Sequence, residues 1–205
     1  MGSRIPCLVL AAAVAAALTA PVTAFAQARR WMDPPSPSTR PPRNDRMQNL
    51  DFLFGALKVA PDEDSAKAIA DRIWGVWIGS GGDTTNLLIS RVRSAIESKD
   101  LDLAVQLLDS MIEFKPEYVE AWNQRATVYY MQKDYTRALA DLAQVLAREP
   151  RHFGALFGVG VIMQEFGDDR RALDVYKRAL ELDPHMKRVP DLVKTLSEKV
   201  EGRDI

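Results

Sequence analysis

The sequence predicts an all-α fold, a solenoid of antiparallel helix pairs closed by a C-terminal capping helix. Three observations predict it. Pro116, Pro150 and Pro184 stand 34 residues apart, and the sequence around each copies the other two. Aligned on Trp122, the stretches 85–118, 119–152 and 153–186 superimpose Ala104/Ala138/Ala172, Leu108/Leu142/Tyr176, Val92/Ala126/Gly160 and Asp100/Asp134/Asp168. Within each stretch the apolar residues recur at helical spacing, which gives every helix one face to bury. A repeat of this length, with fixed small residues and a closing proline, marks a helical array whose core is made by stacking.

Residues 1–26 read as a secretory signal. Arg4 supplies a positive start, Leu8 to Leu18 is an unbroken apolar run, and Ala24-Phe25-Ala26 offers a small-x-small cleavage site. Stretched to Ile5–Ala20, the run would span about 24 Å as a helix, against roughly 30 Å of bilayer hydrocarbon. Cleavage after Ala26 is therefore expected, with an uncleaved anchor as the alternative. Cleavage removes Arg4 and leaves 26 basic against 28 acidic residues. It also removes Cys7, the single cysteine, so the mature chain has no thiol to misreact in an oxidising compartment.

Residues 27–50 hold Pro34, Pro35, Pro37, Pro41 and Pro42 beside Arg29, Arg30, Arg40, Arg43 and Arg46. Proline at this density denies regular hydrogen bonding, so the segment reads as a disordered linker. It serves as a spacer or, through its arginines, as a weak tether to anionic lipid or an acidic partner.

Helical periodicity starts at Leu50. Phe52, Leu53, Ala56 and Leu57 share one face; Pro61 and the acidic Asp62-Glu63-Asp64 then open a second helix carrying Ile69, Ile73, Trp74 and Trp77. Gly79, Gly81 and Gly82 stop it. This pair fills one more slot, 51–84, as a degenerate hairpin at the head of the array. Each clear unit holds two helices; in 119–152 they run over about 119–132 and 135–148, with Lys133-Asp134 as the turn. The alanines at 104, 138 and 172 mark close helix approach. After Met186, Val189, Leu192, Val193, Leu196 and Val200 share a face, which makes 187–205 a capping helix and tail.

Composition excludes some partners. The chain is 47% hydrophobic and 27% charged with a net charge of −1, so no global field attracts nucleic acid. Chemistry is equally sparse. His152 and His185 follow Pro150 and Pro184 in the turns between units, without further ligands at metal spacing. Gly154, Gly158 and Gly160 lack the spacing and preceding strand of a phosphate loop. No catalytic, cofactor or metal site is expected, and the chain is not read as an enzyme.

The units resemble the tetratricopeptide repeat. Trp122, Ala126, Tyr129, Asp134-Tyr135, Ala138, Leu142 and Pro150 carry the likeness in one unit; Leu156, Gly160, Gly167-Asp168, Ala172, Tyr176, Ala179 and Pro184 carry it in the next. Arg91 and Arg125 depart from it, standing where the family more often has leucine. The resemblance implies a right-handed α-solenoid whose first helices line a concave groove. Carried over, the groove positions are Asn86, Ile89, Arg93, Ile96 and Glu97, then Glu120, Asn123, Thr127, Tyr130 and Met131, then Gly154, Phe157, Val161, Gln164 and Glu165. The two-carboxylate clamp of some relatives is not expected, because its positions hold Ile89, Arg93, Gln124, Gly154 and Gly158, with a single basic group. With the signal and the Pro-rich segment, the chain looks like the exported arrays of Gram-negative bacteria. The expected role is a periplasmic or secreted scaffold that holds a peptide or helix of an envelope protein. The alternatives are a structural subunit docking through the convex face or through Trp74 and Trp77, and, ranked last, an enzyme accessory or unrecognised enzyme.

Overall fold

Nine helices and no strand occur among the residues described by the computed structural model, 43–202. The signal segment 1–26 and the linker as far as residue 42 lie outside those residues. In order they are α1 (Arg43–Lys58), α2 (Glu63–Gly79), α3 (Asp83–Glu97), α4 (Leu101–Phe114), α5 (Val119–Met131), α6 (Tyr135–Arg148), α7 (Phe153–Glu165), α8 (Asp169–Leu182) and α9 (Val189–Glu201). One boundary is corrected. The linker was expected to run to residue 50, yet α1 begins at Arg43. The last proline of that segment is Pro42, so nothing beyond it denies helical hydrogen bonding.

The three repeat units fold as α3–α4, α5–α6 and α7–α8, each a hairpin stacked on the next. Identical turns produce them. Lys99, Lys133 and Gly167 occupy left-handed backbone at φ 62°, 61° and 73°. The aspartate that follows each turns its side chain onto the next helix: Asp100 accepts from the Leu103 amide at 3.1 Å, and Asp134 and Asp168 from Arg137 and Arg171 at 3.0 Å. Ala104, Ala138 and Ala172 are fully buried where the two helices of each hairpin meet. Val189 and Leu196 of α9 close the last hairpin against Ala172 and Tyr176.

The α1–α2 hairpin takes a different place from the head-of-array slot that its length suggested. It lies along the turns between units and packs on residues that occupy one repeat position, the last of each 34-residue stretch: Tyr118, His152 and Met186. The Tyr118 hydroxyl donates to the Ile78 carbonyl at 3.1 Å, at the end of α2. Lys115 donates to the Ser80 and Gly81 carbonyls, both at 2.9 Å, placing its ammonium at the negative end of the α2 dipole. The imidazole of His152 stacks on Trp77 with ring centres 4.1 Å apart. Phe153 meets Phe54, Trp74 and Trp77. At the third turn His185 Nε2 lies 3.1 Å from the Ala60 carbonyl, and Met186 packs into the same apolar cluster. An ion pair from Arg151 to Asp51 adds a polar fastening. The hairpin is thus a strap across three turns.

Candidate functional site

The first helices of the second and third units, α5 and α7, leave a notch of about 190 Å³ between them. Six of the groove residues expected from sequence line it: Asn123, Thr127, Tyr130, Gly154, Phe157 and Val161. Its floor is Ala126, Leu142, Gly158 and Ile162; from sequence Ala126 and Leu142 read as packing residues, Gly158 as a position of the clamp that is not expected, and Ile162 carries no reading. Helical spacing explains the convergence. Asn123, Thr127 and Tyr130 sit one turn apart on α5, and Phe157 and Val161 do so on α7, so each set forms a wall.

The remaining groove positions are distributed otherwise. Glu165 is exposed at the lip of the notch, where it accepts the Tyr130 hydroxyl at 3.2 Å. Desolvation first, and the Glu165 charge second, raise Tyr130 above its ordinary 10.0. It therefore remains a neutral donor at physiological pH. Gln164 turns away toward α8 and accepts the buried Tyr176 hydroxyl at 2.7 Å. Desolvation pushes that hydroxyl up to about 12. Met131 is exposed beyond the notch, and Arg93 and Glu97 are exposed on α3 in the neighbouring unit.

Glu120 requires correction: it is 1% exposed and cannot meet a partner. The strap covers its end of α5. Its carboxylate accepts from the Gln124 amide at 2.8 Å and faces His152 Nε2 at 3.6 Å, outside hydrogen-bond reach. His152 Nδ1 accepts the Ala155 amide at 3.0 Å and so caps α7. Trp77, proposed from sequence as an outward docking residue, is 5% exposed and committed to internal packing. Trp74 is partly buried on the same cluster, and its ring lies over Gly154, where an added Cβ would come within 2.8 Å.

Arg125 keeps its charge inside the array by bonding across helices. It donates to both oxygens of Asp141 at 2.8 Å and to Asp109, and its guanidinium lies over Trp122 at 5.0 Å. Arg91, at the same repeat position, is exposed on α3.

Stacked helical hairpins with a lined notch between two first helices define an α-solenoid. Family models described as tetratricopeptide repeat match residues 124–187 and 95–152. A TPR repeat-containing protein of Rhizobium etli is 40% identical over 155 residues, covering 76% of each chain. The chain belongs to the tetratricopeptide-repeat family. Among solved structures, the Sgt2 TPR domain from Aspergillus fumigatus superposes with a TM-score of 0.55 at 18% identity, over 60% of this chain and 83% of that one. The first TPR domain of Spaghetti (RPAP3), solved with an HSP90 peptide, gives a TM-score of 0.53 at 18% identity, over 56% and 91%. At such identities the likeness is one of fold.

Proposed function

We propose that this chain is an exported interaction scaffold whose groove holds a peptide or helix of an envelope protein. The observation that carries the reading is the apolar notch between α5 and α7, walled by Tyr130 and Phe157. Aromatic anchors around a preformed recess are the surfaces that dominate protein recognition. The peptide-bound relative supports the same use of the fold. Export rests on the signal pattern of residues 1–26 and on a mature chain that holds no cysteine.

Two measurements test this. A photo-crosslinking residue replaces Thr127 in the notch or, as control, Ala147 on the exposed face of α6, in cells. Adducts at Thr127 and none at Ala147 are expected; the reverse pattern would hand the role to the second-helix surface. Fractionation with N-terminal sequencing should recover a periplasmic chain that starts at Gln27. A chain retaining Met1 in the cytoplasm would end the export reading.

A further inference from the structure

Three glycines fall within two turns of α7, and helix-interior glycine costs about 1 kcal/mol each relative to alanine. Two have a packing reason. A Cβ on Gly154 would come within 2.8 Å of the Trp74 ring, and one on Gly160 within 2.3 Å of the Tyr176 ring. Gly158 has no comparable obstacle: a Cβ there would meet only the two methyls of Leu142, at 3.3 and 3.4 Å. In the repeat register Gly158 corresponds to Gln124 on α5 and Ser90 on α3, so only the third unit lacks a side chain at this position. What its absence creates is the floor of the notch.

We infer, building on the groove reading above, that the notch selects a partner segment carrying one bulky apolar side chain flanked by basic residues. At about 190 Å³ the recess is smaller than the usual ~300–1,000 Å³ of small-molecule sites. It suits a single aliphatic or aromatic anchor, with Ala126, Leu142, Gly158 and Ile162 beneath it. Charge complementarity sets the flanks. The exposed carboxylate of Glu165 stands at the lip, tied to the lining residue Tyr130, and among the described residues that line the notch none is lysine or arginine. An anion at the rim attracts cationic flanks and repels acidic ones. A rim charge acts mainly on association rate and salt dependence, while the buried anchor carries the affinity.

The test measures fluorescence anisotropy of the full chain with matched short Gly/Ser peptides. Each has a central Leu or Ala, flanked by Lys or by Glu. The Lys-flanked Leu peptide should bind at least about tenfold tighter than its Ala counterpart, and tighter than the Glu-flanked Leu peptide by a margin that salt erodes. Gly158→Leu should fill the recess and erase the Leu-over-Ala preference, with its fold checked by circular dichroism. Glu165→Lys, on an exposed side chain, should invert the flank preference whether or not the Gly158 variant folds. Equal binding of Leu and Ala peptides, tighter binding of the Glu-flanked ones, or no binding by any peptide would overturn the inference. The groove reading falls separately, on absence of adducts at Thr127.

Discussion

Tyr176 occupies the seam between α7 and α8 because Gly160 has no side chain. An added Cβ would lie 2.3 Å from one ring carbon and 2.7 Å from two others, and the ring is fully buried and cannot swing aside. Alanine would gain about 1 kcal/mol of helix propensity, against overpacking of about 1–3 kcal/mol. With three ring atoms so close, the upper part of that range applies. Gly160→Ala should therefore lower stability by about 1–2 kcal/mol, seen as a lower urea midpoint at unchanged slope. An unmoved midpoint would mean that the seam has spare room. The helix caps give a second residue-scale expectation. Asp134 accepts the Arg137 amide and pairs with its guanidinium, and these bonds hold its carboxyl below the ordinary 3.8. A depressed folded value stabilises fully above the unfolded value and is lost as pH falls through the folded one. Asp134→Ala should melt lower than the parent at neutral pH, and the two melting curves should converge in acid below 3.8. A gap independent of pH would show that the carboxylate charge is not the source.

Between elements, Arg125 joins three helices, reaching from α5 to Asp109 on α4 and Asp141 on α6. Asp141 is 5% exposed at its side chain, so a lone carboxylate there would be costly. Breaking a buried pair by removing one partner costs about 3–5 kcal/mol. Arg125 retains 16% exposure, which favours the lower end of that range. Arg125→Leu should thus destabilise by about 3 kcal/mol, and adding Asp141→Leu should restore most of it. Additive losses in chemical denaturation would dismiss the coupling. The same residue shows what sequence could and could not deliver. The hairpins were legible because spacing, capping aspartates and prolines all repeat: the expected 135–148 helix is α6, and the expected 119–132 helix ends at Met131. The partners of Arg125 were not, since they lie one helix away on either side. The place of α1–α2 was hidden for a related reason. An apolar face at helical spacing fits a neighbouring hairpin as well as a row of turns. Of the turn residues that receive it, His152 reads from sequence only as a turn residue, and Tyr118 and Met186 carry no signal of their own. Glu120 was misplaced in the groove as a consequence. The notch floor was obscure because it is made by a side chain that is missing, although Gly158 standing in register with Gln124 and Ser90 was a readable signal.

At the scale of the whole repeat domain, the strap changes how the array should unfold. In a plain solenoid each unit touches only its neighbours, so terminal units fray on their own. Here α1–α2 reaches both turns between units and the turn that leads into α9, and opening any one hairpin also breaks strap contacts. The domain is therefore expected to unfold in one transition, with far-UV circular dichroism and tryptophan fluorescence superimposing. Trp77→Ala is the perturbation that separates stability from coupling. It removes the stack on His152 and the contacts with Phe54, Trp74 and Phe153, a loss of about 3–5 kcal/mol for a buried aromatic. If the strap supplies the coupling, the two probes should part company in the variant and the denaturant slope should fall. Native-state hydrogen exchange should then find α3–α4 opening at lower free energy than α5–α8, because the first unit would be left with one stacked neighbour. A parallel shift of both probes, with the slope retained, would show instead that the stacked hairpins are cooperative by themselves and that the strap contributes only its burial.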